Sequence, residues 1–132
     1  MKQLFILLLV ISFIGCSKED ISNDQKVLET INGITQFESN VKTGVSLVFF
    51  HAVWCSKCAE QRPAVEALTK DAQLNAVFFG QVDYEKNSDI RTKYGVAGFP
   101  TILIFKDGVV KHDLSGKGHT QEELTNLLKA LL

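Results

Sequence analysis

The 132-residue chain has one tryptophan, two prolines and three cysteines, and it contains no run of Lys or Arg. With 14 basic against 15 acidic side chains, its net charge is −1 with histidines neutral. A nucleic-acid surface needs clustered cations, so nucleic acid is excluded as a partner. The longest apolar run, Leu4 to Ile14, would rise only about 16 Å as a helix, well short of the ~30 Å bilayer core, so no spanning segment is expected. No dinucleotide fingerprint occurs, and no organic cofactor is expected. The chain also lacks internal repeats and low-complexity segments, and its length suits one domain with a real core.

What the first residues do hold is a basic start (Met1-Lys2), the short apolar stretch and Gly15-Cys16. These are the parts of an export signal. Phe13-Ile14-Gly15-Cys16 resembles the lipobox of bacterial lipoproteins, with Phe13 where Leu is usual. The resemblance implies that residues 1–15 are removed and that Cys16 is lipidated, anchoring the protein to the bacterial cell envelope and facing the periplasm or the exterior. Lipidation also leaves no odd thiol in an oxidising compartment, since the other two cysteines form a pair. Residues 16–26 are polar and acid-rich and read as a flexible tether, while Ser17-Lys18-Glu19-Asp20 resembles the acidic signal that directs some lipoproteins to the outer face of the outer membrane.

The body, residues 27–132, alternates apolar and amphipathic runs. A short strand is expected at Val27–Ile31, then a helix to about Lys42 opened by the capping box Thr35-Gln36-Phe37-Glu38. Val45 to Ala52 is a continuous, largely apolar run rich in β-branched and aromatic residues, which predicts a central strand covered on both faces. A helix from Ser56 to about Ala72 should follow, bent at Pro63, with Ala59, Val65, Leu68 and Ala72 inward. Further strands are expected at Ala76–Val82, Thr101–Phe105 and Val109–Leu114, the last two joined by an Asp107-Gly108 hairpin turn. Helices are expected at Ser88–Tyr94 and after Thr120, where Glu123 completes a second capping box. The order βαβαβαββα predicts an α/β fold, a mixed central sheet with helices on both faces.

Cys55 falls where the central strand passes into a helix, and Cys58, three residues on, can reach it across the first turn. The helix N-terminus favours a thiolate, and Lys57 adds a cation beside it, so Cys55 is the expected nucleophile and the more exposed of the two. A CxxC alone is equally half of a zinc site, but no second CxxC and no His-x₃₋₅-His completes one, and no metal is assigned.

Trp54-Cys55-Ser56-Lys57-Cys58 and Tyr94-Gly95-Val96-Ala97-Gly98-Phe99-Pro100-Thr101, with Val82-Asp83, Phe105-Lys106-Asp107-Gly108 and Gly116, resemble the thioredoxin family across residues 27–132. The resemblance implies a thioredoxin fold and a thiol-disulfide oxidoreductase. Cys55 would attack a substrate disulfide and Cys58 resolve the mixed disulfide. Pro100 would be cis, leaving the Phe99 backbone open to an extended substrate strand, with Trp54 offering apolar contact. The implied partners are protein disulfides or dithiols outside the cytoplasm and a redox partner protein that supplies or accepts electrons. The chain is expected to act as a monomer, and the direction of electron flow stays open.

Two departures stand out. Phe49 occupies the place of the family's buried acid and Phe79 that of its buried Lys, the charges that help take the proton from the second cysteine. An apolar setting should raise the Cys58 pKa, which calls for another base among Lys57, Glu60 and His51 or for slow resolution. Two other classes stay open: a copper-binding module using His51, Cys55 and Cys58, with the strand placement of His51 against it, and a redox-inert adaptor.

Overall fold

The computed structural model describes residues 26–132. The expected export signal, Cys16 and the tether up to residue 25 lie outside the described residues. Lys26, assigned above to the tether, is packed on the body instead, its ammonium donating to the carbonyl oxygens of Asn75, at 2.9 Å, and Val77. Among the described residues no helix is long and apolar enough to cross a membrane.

The elements run β1 (Glu29–Thr30), α1 (Ile34–Val41), β2 (Val45–His51), α2 (Ser56–Leu68), a 3₁₀ turn at Ala72–Leu74, β3 (Phe78–Asp83), α3 (Ser88–Lys93), β4 (Thr101–Lys106), β5 (Val109–Ser115) and α4 (Gln121–Lys129). The βαβαβαββα order is therefore the one the patterning predicts. The sheet order is β1-β3-β2-β4-β5. β1, β3 and β2 are parallel, and β4 and β5 are antiparallel to their neighbours.

Buried on both faces, β2 sorts its side chains by alternation. Leu47 and Phe49 pack towards α2 and α4 with Val65, Leu68, Leu124 and Leu128, while Val48 and Phe50 pack towards α1 and α3 with Phe37, Val41 and Ile90. The second layer is aromatic: Phe37 meets Phe50, Tyr94 and Phe105 with ring centroids 4.8–6.1 Å apart. The hairpin turn forms where expected, Asp107 and Gly108 both at positive φ (50° and 79°), as a type I′ turn demands.

Three local expectations are corrected. The box at Thr35 does not cap α1, whose N-cap lies two residues earlier at Gly33, at φ 88°. Acceptors from a distant segment replace it: Asn87 Oδ1 takes the Gly33 N–H at 2.9 Å and Asp89 Oδ2 the Ile34 N–H at 3.2 Å. Helix α2 stops at Leu68, because the Thr69 hydroxyl turns back onto the Glu66 carbonyl (2.7 Å) and Asp71 caps a separate 3₁₀ turn through the Gln73 N–H (2.9 Å). Its inner stripe is Cys58, Gln61, Val65 and Leu68, with Ala59 and Ala72 exposed. The cap at Thr120 holds, its hydroxyl accepting from the Glu123 N–H at 3.1 Å, but the Glu123 carboxylate turns to His119 Nδ1, at 3.3 Å.

Gly80 in β3 is fixed by close approach, since a Cβ there would lie 2.6 Å from Ile31 Cδ1 and 2.9 Å from the Phe78 ring. Ile31 is fully buried and has nowhere to retreat. Gly80→Ala is expected to cost about 1–3 kcal/mol by overpacking. A lowered urea midpoint with an unchanged reduction potential of the cysteine pair is the result expected.

Candidate active site

β2 ends at His51, and a tight turn closed by Cys55 N–H to the Ala52 carbonyl (3.2 Å) leads into α2. Cys55 itself is the N-cap. Its backbone is extended (φ −79°, ψ 109°) and its sulfur accepts the Cys58 N–H at 3.1 Å. A helix start normally takes an oxygen there to satisfy its free N–H groups, and a sulfur carrying negative charge gains from the same donors and from the helix dipole. Cys55 and Cys58 are joined as a disulfide, with Cα atoms 5.2 Å apart. Cys55 is 9% exposed and Cys58 2%, so the first cysteine is the one a partner can reach.

Around Cys55 runs an apolar rim. Val53 and Trp54 are 82% and 70% exposed. The Trp54 indole meets Phe99 edge-on at 5.4 Å and donates its N–H to Glu85 Oε2 at 3.0 Å, so it is a rim residue and not core. Phe99 in turn packs on Tyr84 (4.9 Å), whose ring also carries the Arg91 guanidinium at 4.6 Å. The Phe99–Pro100 bond is cis, Pro100 is buried, and its carbonyl accepts the Gly116 N–H at 2.9 Å.

Beneath the disulfide the two departures from the family acquire a physical form. Phe49 is fully buried with the Arg62 guanidinium 5.3 Å above its ring, and Phe79 carries the Lys26 ammonium at 5.1 Å. Each contact supplies roughly 0.5–2 kcal/mol, whereas burying a charge in either place would cost several. Arg62 is further fixed by Gln81 Oε1 at 2.9 Å and Glu66 at 3.4 Å.

The three candidate bases separate clearly. Lys57 is exposed, and Glu60 is exposed and paired with Lys117. His51 is half-buried and faces the α2 side, not away as its strand position had suggested, stacked on Phe49 at 5.7 Å and 15°. It lines a cavity of about 180 Å³ together with Cys55, Cys58 and Arg62. Burial first and the Arg62 charge second hold its pKa below the ordinary 6.5, against the opposing pull of Asp83 and a hydrogen bond with the Ala52 backbone. Among the described residues no three His, Cys, Asp or Glu side chains converge as a metal site requires.

Sequence reasoning missed Arg62, Gln61 and Glu85. Arg62 had a signal, since it lies four residues after Cys58 on the same helical face. Gln61 is 2% exposed and holds the loop before α4 through the His119 carbonyl (2.7 Å) and the N–H groups of Gly118 (2.8 Å) and His119 (3.0 Å). Glu85 lies 31 residues from Trp54 and had no local signal.

A disulfide-bonded CxxC pair at a strand-to-helix junction, with a cis-proline just before β4 in a five-stranded mixed sheet, defines a class of disulfide-exchange proteins. The Thioredoxin family model matches residues 27–130. Thioredoxin from Staphylococcus aureus is 39% identical over 72 residues, which cover 54% of this chain and 68% of that protein. Thioredoxin from Chlamydia caviae is 36% identical over 72 residues, covering 54% and 69%. In three dimensions a mutant thioredoxin from Halobacterium salinarum superposes with a TM-score of 0.73 at 25% identity, covering 81% of this chain and 92% of that one. The chain belongs to the thioredoxin family, and its Cys55–Cys58 pair makes it a thiol-disulfide oxidoreductase.

Two measurements follow from the site. Trp54 is the sole tryptophan, so Glu85→Ala should shift its emission and lower its anisotropy, with a stability change within about 0.5 kcal/mol, as for an exposed contact. His51 releases its proton more readily in the fold than in the unfolded chain, so its contribution to stability is complete above 6.5 and is lost as pH falls through the folded value. Its NMR titration should lie below 6.5, moving up in Arg62→Gln and down in Asp83→Asn.

Proposed function

We propose that the protein exchanges disulfides with protein substrates outside the cytoplasm, held to the bacterial cell envelope by lipid on Cys16. Residues 1–15 are the export signal, 16–26 the tether and 27–132 the working domain, which acts as a monomer. Cys55 attacks the substrate disulfide and Cys58 resolves the mixed disulfide, leaving the substrate reduced and the pair oxidised. Trp54, Phe99 and Pro100 hold an extended substrate segment by apolar contact and backbone pairing. Lys57, exposed beside Cys55, favours the reduced form and moves the potential toward the oxidising side. Electrons come from or go to a redox partner protein.

The observation that carries this reading is the Cys55 sulfur at the N-cap of α2, accepting the Cys58 N–H and bonded to the Cys58 sulfur. Cys55→Ser should lower turnover of a protein disulfide by about 10³-fold or more. Cys58→Ser should instead accumulate a mixed disulfide that a gel resolves. Turnover unaffected by serine at 55 would end the proposal. For the anchorage, labelling with a fatty-acid analogue should mark the wild-type chain in a bacterial host and miss Cys16→Ser.

A further inference from the structure

Resting on that dithiol reading, the structure also offers a route for the proton that Cys58 must lose. The cavity of about 180 Å³ brings the buried Cys58, the half-buried imidazole of His51 and the guanidinium of Arg62 onto one wall-lined space open beside Cys55. A water takes up about 30 Å³ and needs two to four polar partners, which the polar side chains among the lining residues, His51, Arg62 and the cysteines, are able to supply. The imidazole is stacked on the fully buried Phe49, so it cannot turn over without losing that contact. Arg62 sits four residues beyond Cys58 on α2, fixed by Gln81 and Glu66, where its charge favours a thiolate over a thiol. The other charged group acting on the imidazole is Asp83 from β3, the register partner of His51, which Lys86 pairs at 3.7 Å.

We propose that His51, through water in this cavity, accepts the Cys58 proton during resolution, with Arg62 as the positioning charge. Neutral His51 takes the proton as the Cys58 thiolate forms. The thiolate attacks the Cys55 sulfur, the Cys55–Cys58 bond forms, and the substrate–Cys55 bond breaks. The substrate sulfur leaves with the electron pair and takes a proton from the imidazolium by way of water. A ring nitrogen thus fills the role that Phe49 cannot.

The test uses the reduced protein and 5,5′-dithiobis(2-nitrobenzoate) in a stopped-flow instrument. The first nitrothiobenzoate released reports attack by Cys55 and the second reports resolution by Cys58. In His51→Asn the ratio of the second rate to the first should fall about tenfold or more near neutral pH, within the range of a lost proton-transfer group. That deficit should shrink steadily as pH rises into the alkaline range, where a thiol increasingly ionises unaided. His51→Ala should regain the second phase with added imidazole, which should do little for the wild type. Arg62→Gln should move the acid limb of the second phase to higher pH, because Arg62 holds the imidazole pKa down. Glu60→Gln should leave the ratio unchanged. A ratio in His51→Asn equal to wild type, a deficit that persists at all pH values, or no rescue by imidazole overturns the inference and leaves the dithiol reading standing. A wild-type protein that shows no second phase overturns both.

Discussion

A helix that begins deep in a sheet protein must find acceptors for its first N–H groups, and at α2 the acceptor is the Cys55 sulfur. That one contact fixes much else. It requires β2 to end at His51 and the chain to turn within four residues, which leaves Cys55 the more accessible of the pair, at 9% exposed, and Cys58 one turn inside. It also means that the group with the chemistry is the group that starts the helix. The energy of capping and the energy of stabilising a thiolate come from the same donors.

Around this junction the chain has placed apolar mass where charge might have been. Fully burying a phenylalanine contributes about 1.5–3 kcal/mol, whereas an interior ion pair costs several for each ion before its attraction is counted. With Phe49 and Phe79 the balance favours a firm interior, and the cations ride on the rings from outside. Chemistry that needs a proton acceptor is then left to the margin of the core, where His51 is only half-buried.

Much of the fold was legible because its strongest signals are local and repetitive. The largely apolar Val45–Phe50 run reads as a strand covered on both faces, and Asp107-Gly108 as a tight turn. The cysteine pair and Pro100 were readable from their neighbours in sequence. What escaped was decided by partners far along the chain. Thr35 lost its capping role to Asn87 and Asp89, more than fifty residues away, and α2 was cut short by hydroxyl and carboxylate contacts that periodicity does not register. His51 was misjudged because strand alternation was not anchored to a known face. Once Phe49 is placed against α2, His51 must follow it.

The parallel run of β1, β3 and β2 has a directional meaning as well. Lys26 reaches the Val77 carbonyl, at the beginning of the sheet, while the disulfide follows the last residue of β2. The length of β2, seven residues or about 20 Å from first to last, separates the two levels. The backbone thus comes into the domain at one pole and displays its sulfur at the other. A domain grasped by that entry pole would stand like a lamp on its base, the reactive end turned outward to whatever diffuses past.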